Sequence, residues 1–596
     1  MIEFCRRGFV LVFILLAAAP VCGAEPGVTA FTHVTVIDAT GAAPLPDGTV
    51  IISGDRISAV GRSAEVHPPT NAVVVDATGK FLIPGLWDMH VHWYEKDFLP
   101  LFIANGVTGV RMMWGMPVHH AWRREIEQES LVGPRLLIAS TIVDGPNPIW
   151  PGSFVAANAA EGRAAVSKAK QDGADFVKVY SALPRDAYFA IADEAKKQGI
   201  PFDGHLTIAV SAAEASAAGQ RSIEHLTGIL AACSGNEAGC LKLGQEELTA
   251  RATNSSRSIR LFMERVEKLA LGDFDPAKTD ALFAEFKRNH TWQCPTLVVL
   301  RNIRDLETFA NTNDARLKYM PSSMRAYWTP GADGRFPGRT PEEVAQGKII
   351  YRKELEIVGA MQRAGVGILA GTDTGNPFCF PGFSLHDELG LLVEAGLTPM
   401  EALQSATRNP ARFMGRESDL GTIEPGKLAD LVLLEANPLV DIANTRKISA
   451  VVAGGRLFSR TSLDGMLARI ESLAGKEKTS VAVPLMATIR DKDVDAAIRQ
   501  YHDLKAAQPE AYDFGELQLN SLGYSLMGQK RFADAVAILK LNAGLFPESA
   551  NVYDSLGEAY MNNGDKARAI ENYEKSLKLF PGNWNAVEKL KQLKAP

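Results

Sequence analysis

Between Leu86 and about Gly415 the chain repeats one pattern, a short apolar run followed by an amphipathic helical stretch. Strands that alternate with helices pair in parallel, because each helix returns the chain to the starting edge of the sheet. Candidate strands are Leu86 to Met89, Gly109 to Met112, Arg135 to Ala139, Phe176 to Val179, Ser222 to Glu224, Gln293 to Val298 and Gly367 to Ala370. Such a series predicts an α/β fold, a (β/α)8 barrel over residues 85–418. The stretch from Cys240 to about Tyr351 is too long for one connection and rich in charged helix formers. Residues from about 240 to 350 are therefore expected to form a helical insertion over the barrel mouth.

Alternating patterns flank this region on both sides. Val34 to Ile37, Thr49 to Ile52, Ile57 to Val60 and Val73 to Val75 read as short antiparallel strands, with Gly54-Asp55 as a hairpin turn. After the turn Gly421 to Lys427, Ala429 to Leu434 and Ile448 to Phe458 read as strands again. The economical arrangement is one small β-sandwich built from residues 25–84 and 419–462. A linker over 463–485 leads to an internal repeat in 486–596, where Leu522-Gly523, Ala535, Leu539 and Pro547 recur 34 positions later as Leu556-Gly557, Ala569, Tyr573 and Pro581. That period, with small residues where two helices cross and proline ending the second, resembles the tetratricopeptide repeat, and a partial repeat from Asp491 to Pro509 precedes it. Such repeats imply a protein partner or a structural module and are silent on the reaction.

The composition, 46% hydrophobic and 22% charged over 596 residues, excludes general disorder and a fibre. With 63 Lys and Arg against 69 Asp and Glu, no overall positive field exists to hold a polyphosphate, which excludes nucleic acid as a partner. Residues 1–24 read as a secretory signal: Arg6 and Arg7, the apolar run Phe9 to Ala19, then small residues to Ala24. The run is too short to span a bilayer, so the expected protein is exported, periplasmic or secreted, and not integral to a membrane after cleavage. A lipid on Cys22 is an alternative that Val21 before it disfavours. Export permits disulfides, and the turn-rich segment Cys233 to Cys240 predicts a local bridge between those two cysteines.

The chemistry sits at strand ends. In Asp88-Met-His90-Val-His92 the two imidazoles face the same way, placed either to grip one metal ion or to serve as a structural pair. Phe176-Val-Lys178-Val-Tyr180 puts a lysine inside an apolar strand, where an ammonium is costly unless it snorkels, pairs or is neutralised. A desolvated lysine can also take up carbon dioxide as a carbamate, whose two oxygens can bridge two cations. His205, His225 and Asp373 end further apolar runs, although a lone aspartate there also caps helices. Two His, Lys, His, His and Asp in this order, all where sites of this fold are built, converge on a metal centre.

On these residues the sequence resembles the amidohydrolase superfamily, in its imidazolonepropionase-like and metal-dependent prolidase-like branch. The carriers are Phe81 to His92, Gly371-Thr-Asp373, Ser384-Leu-His386-Asp-Glu-Leu389, and Ala406 to Ala411 leading to Gly426 to Asp430, within about residues 30 to 460. The resemblance implies two divalent ions, zinc by donor type. His90, His92 and Asp373 would bind the more buried ion, His205 and His225 the second, and Lys178, as N6-carboxylysine formed from carbon dioxide, would bridge them. It makes Asp373 the general base and acid of a bridging hydroxide and His386 a second candidate catalytic residue, contacting substrate or transition state, with a structural role on the helix as its alternative. Trp93, Tyr94 and Tyr180 are candidate pocket residues, with core or rim packing as the alternative. One departure is Gly109-Val-Arg111-Met112-Met113, with methionine where an acidic residue often follows the arginine. His119-His120 reads as a surface pair and His290 has no assigned role. The expected reaction is hydrolysis of the C–N bond of a dipeptide or N-acyl amino acid. The alternatives are a cyclic amidohydrolase or lactonase, and a non-catalytic scaffold acting through the repeats.

Overall fold

The computed structural model describes residues 27–594, apart from 151, 254–258, 311, 329–338, 477 and 581–582. The expected signal at 1–24 and Cys22 lie outside the described residues. Among the described residues no helix is long and apolar enough to cross a membrane.

The strands are β1 (Val28–Val36), β2 (Leu45–Ser53), β3 (Arg56–Arg62), β4 (Val73–Asp76), β5 (Phe81–Pro84), β6 (Leu86–Val91), β7 (Val107–Met112), β8 (Arg135–Ile138), β9 (Val143–Asp144), β10 (Phe154–Val155), β11 (Val177–Val179), β12 (Phe202–Gly204), β13 (Ser222–Glu224), β14 (Trp292–Cys294), β15 (Leu431–Leu434), β16 (Ile448–Ala453) and β17 (Arg456–Ser459). Gly54-Asp55 turns the chain between β2 and β3, as read from the sequence. Residues from both ends of the catalytic region share one eight-stranded sheet, ordered β17-β16-β15-β5-β1-β2-β3 with β4 on β1. The seam is the antiparallel pair β15–β5, from Leu431 opposite Pro84 to Leu434 opposite Phe81. Phe31, Ile52, Leu82 and Leu431 bury their side chains in a common core there, which ties the two ends of the sequence together.

The strands between are parallel. β6-β7-β8 form one ladder and β10-β9-β11-β12-β13-β14 another. Single parallel bridges link them: Ala139 to Phe176, Gln293 to Ile368, and Val91 to Thr374. Gly109 fits this packing because a Cβ there would stand 2.2 Å from the Trp87 ring. Helices run between the strands, started by side-chain caps: Asn158 for Ala159–Gln171 and the Ser211/Glu214 capping box for Ala212–Ala217.

Three expectations change. The strand expected over Gln293 to Val298 stops at Cys294, because Thr296 turns into the left-handed region and the Glu388 carboxylate accepts from the Leu297 and Val298 N–H groups, which starts the helix Leu297–Arg304. The helical insertion is therefore two blocks, one on either side of β14. The expected linker 463–485 is largely the helix Arg460–Lys476, whose Leu463, Ile470 and Ala474 lie on one face and are buried in the main core.

The C-terminal region is helical apart from a short parallel pairing of Thr479–Ser480 with Tyr512–Asp513. Its helix pairs are Ala482–Asp491 with Val494–Ala507, Glu516–Gly528 with Phe532–Leu545, and Ala550–Asn562 with Lys566–Leu579. The first pair begins before the expected Asp491. The repeated small residue has a steric reason: a Cβ on Gly523 would stand 2.5 Å from Leu539. Tyr501, Leu519, Leu539 and Tyr573 centre a core separate from that of the rest of the chain. Leu539→Ala should therefore cost the repeats about 2–5 kcal/mol. Calorimetry of the full chain should show one transition moving down while the other holds; a uniform shift of both would contradict two separate cores.

Candidate metal centre

The strand ends bring four imidazoles, a carboxylate and an amine into one place. His90 and His92 leave β6, Lys178 sits in β11, His205 follows β12, and His225 follows β13. Asp373 is anchored to them through its backbone, its N–H donating to the His90 carbonyl at 2.8 Å. Asp373 and His225 both adopt left-handed φ values, 56° and 57°, a strained backbone that L-residues keep where the surroundings enforce it.

Asp373 is the focus. Its Oδ1 lies 3.5 Å from His90 Nε2 and 3.4 Å from His92 Nε2, and its Oδ2 lies 3.8 Å from His225 Nε2. The His205 ring centroid is 4.9 Å from that of His225. Donor atoms of His90, His225 and Asp373 all fall within 4.8 Å of one another. Three of the rings are held from behind by their other nitrogen. Nδ1 of His90 meets Glu224 at 2.8 Å, Nδ1 of His205 meets Ser181 at 2.9 Å, and Nδ1 of His225 meets Thr296 at 2.7 Å. Occupying Nδ1 leaves Nε2 for the interior, which is how metal-ligating histidines are oriented.

Burial pushes the imidazoles of His90, His205 and His225 well below 6.5, and the Lys178 charge adds to this, so the rings are neutral at physiological pH. Lys178 is fully buried, and among the described residues its Nζ has no hydrogen-bond partner. Burial pushes its amine down from 10.5 to about 8, against the attraction of Glu224 and Asp373. Neutral imidazoles, a carboxylate and an unsatisfied amine form a donor set that fits divalent cations and the carbamate of a lysine.

Behind the imidazoles lies a layer that sequence reasoning missed. Glu224 is shared between His90 and Arg111, whose Nη2 lies 2.8 and 2.9 Å from the two carboxylate oxygens. Arg111 also donates to the Met89 carbonyl at 2.6 Å and to Ser222 Oγ at 3.0 Å, and Ser222 in turn donates to Glu224. The available signal was Ile223-Glu224-His225, an acidic residue in an apolar strand beside a ligand candidate.

A cavity of about 460 Å³ opens above the centre, with His92, His205, His225 and Asp373 at its base and Tyr94 and Tyr180 on its walls. Trp93 is outside it: the indole is buried, packs on Phe98 and donates to the Glu95 carbonyl. The substrate contact expected of His386 is corrected as well. Its Nδ1 pairs with Thr445 Oγ1 at 2.9 Å and its Nε2 with the Asn105 carbonyl at 3.0 Å, so both nitrogens are used inside the fold. His119 is buried against Trp122 rather than at the surface. His290 ends the helix Pro276–Asn289 with a left-handed backbone. Cys233 and Cys240 are separate buried thiols, not a disulfide. The segment between them is held elsewhere, Gly235 donating to the Asp273 carbonyl and the Ser234 carbonyl accepting from Lys278.

In parallel α/β folds sites are built at the strand ends, and a donor set of this kind there can hold a divalent ion. Residues 324–458 match the amidohydrolase family model, and residues 550–583 match the tetratricopeptide repeat model. The ochratoxinase of Aspergillus niger is 24% identical over 444 residues, 70% of this chain and 83% of that protein. The solved structure of the bottromycin amidohydrolase superimposes with a TM-score of 0.61 at 25% identity, covering 76% of this chain and 92% of that one. A Xaa-Pro dipeptidase structure with bound methionine shares the fold at a TM-score of 0.52 and 21% identity, covering 73% and 100%. Residues 324–458 thus carry the amidohydrolase-family signature, and a tetratricopeptide repeat follows at residues 550–583.

Glu224→Gln should weaken divalent-metal binding about 10–100-fold in a chelator competition, because the charge that orients His90 is lost; unchanged affinity would contradict the role given to Glu224. Burial holds the His386 imidazole down, from 6.5 to about 4. Its contribution to stability is therefore present above about pH 6.5 and is lost as the pH falls toward 4, since the unfolded chain takes up the proton first. The loss is on the order of 3 kcal/mol. Urea titrations across that range should show a flatter pH dependence for His386→Gln than for the wild type; parallel curves would contradict it.

Proposed function

We propose that the chain is a metal-dependent amidohydrolase, a (β/α)8 barrel flanked by the small β-sandwich, that cleaves the C–N bond of a dipeptide or N-acyl amino acid. The observation that carries this reading is the convergence of His90, His92 and His225 on Asp373, beside a buried Lys178 amine without a hydrogen-bond partner among the described residues. His90, His92 and Asp373 would hold one ion and His205 and His225 the other, with Lys178 as the bridge. Bound there, divalent ions, zinc by donor type, supply Lewis acidity that acidifies a water and polarises the scissile carbonyl.

The residues do the rest. The lowered basicity of Lys178 leaves a fraction of its amine neutral near pH 7, and that amine can add to carbon dioxide, forming an N–C bond and losing a proton to give the carbamate. Glu224, Ser181 and Thr296 hold the imidazoles in the orientation that faces the centre. Asp373 takes the proton of the attacking water and delivers it to the leaving nitrogen as the C–N bond breaks. Export through residues 1–24 and capture of a protein partner by the repeats complete the proposal.

A panel of dipeptides and N-acyl amino acids tests it. Asp373→Asn should lower kcat by about 10²–10⁴-fold with a much smaller change in KM, and Lys178→Ala should lose both metal and rate. Full activity in either variant would overturn the assignment.

A further inference from the structure

Three aromatic rings that leave strand ends form one wall of the cavity. Trp114 follows β7, Trp150 lies between β9 and β10, and Tyr180 directly follows β11. The rings of Trp114 and Trp150 lie 6.1 Å apart, tilted by 56°. Trp150 donates its indole N–H to the Tyr180 hydroxyl oxygen at 2.8 Å, and the Tyr180 ring stacks on His205 at 3.9 Å and 29°. An aromatic surface therefore runs without a break from the cavity wall to an imidazole of the metal centre.

Two features make this a binding surface rather than core. All three rings are only partly buried, so each keeps a face toward the cavity. The hydrogen bond and the stack also fix Trp150 and Tyr180 in advance, so a flat guest binds without ordering them. The rest of the lining mixes aliphatic side chains, among them Leu230, Met263, Leu300 and Ile303, with paired charges centred on Arg304 and Arg339. A cavity of about 460 Å³ lies in the range that encloses most of a drug-sized molecule.

We propose that Trp114, Trp150 and Tyr180 form the specificity subsite of this hydrolase and take an aromatic ring carried on one side of the scissile C–N bond. The substrates would then be aryl-bearing amides rather than amides of small amino acids. The proposal rests on the hydrolase reading above, and its test separates the two.

The full-length, metal-loaded protein is assayed with acetyl-alanine, acetyl-phenylalanine and phenylacetyl-alanine, the last two placing the ring on the amine or the acyl side. Turnover gives kcat/KM, and quenching of tryptophan fluorescence gives affinity independently of turnover. One of the two aryl probes should exceed acetyl-alanine about 10-fold or more in kcat/KM and in affinity. Trp150→Ala and Trp114→Ala, on different loops, should each reduce that preference about 10-fold, and Trp150→Phe should restore most of it. A preference unchanged in both alanine variants overturns the subsite, as does turnover with no aryl preference, which leaves the hydrolase reading standing. Aryl-selective binding that both alanine variants abolish supports the subsite, and if no probe is then turned over, only the proposed reaction falls.

Discussion

A lysine amine buried without a hydrogen-bond partner among the described residues is the constraint from which the site follows. An ammonium taken out of water costs several kcal/mol unless charge or bonding returns it, and Lys178 sits in β11 where water does not reach. Around it stand Asp373, Glu224 and the imidazoles of His90, His205 and His225. Glu224, Asp373 and Asp203 favour the ammonium, yet none hydrogen-bonds to it among the described residues, and Glu224 is already divided between Arg111 and His90. The arrangement is thus poorly satisfied as a set of side chains alone and well suited to ions and a lysine carbamate.

The second layer explains why the imidazoles are precise. Arg111 fastens Glu224, Glu224 fastens His90, and the Arg111 guanidinium is itself tied to the backbone of β6 at Met89. Ser181 and Thr296 do the same work with hydroxyls for His205 and His225. The imidazoles of His90, His205 and His225 are each held by a residue from another strand or the turn after it, which fixes their orientation. The outer sheet joins both ends of the catalytic region through the β5–β15 seam and fixes β6, two residues beyond β5, from below.

What was legible in the sequence is what local pattern determines. A residue at the end of an apolar run in a βα series faces the mouth of the fold, so His90, His92, His205, His225 and Asp373 could be placed from position, Lys178 stood out as a lysine inside an apolar strand, and the structure brings them together. Support that crosses the chain could not. Glu224 reaches His90 over 134 residues, and His386 is consumed by Thr445 and Asn105, which stand 59 and 281 residues away. Nothing local marks Trp93, just past the end of β6, as core and Trp150, in the segment between β9 and β10, as cavity wall, since both leave strand ends and only the path of the chain separates them. The helix Arg460–Lys476 was read as a linker because its burial depends on surfaces supplied by distant segments.

The most direct measurement is the metal content of the full chain, purified without chelator and with bicarbonate present, by elemental analysis. The account predicts about two divalent ions per chain, falling when bicarbonate is withheld. About one ion, indifferent to bicarbonate, would contradict the bridging role of Lys178, and none, with no uptake on adding zinc, would contradict the metal centre itself.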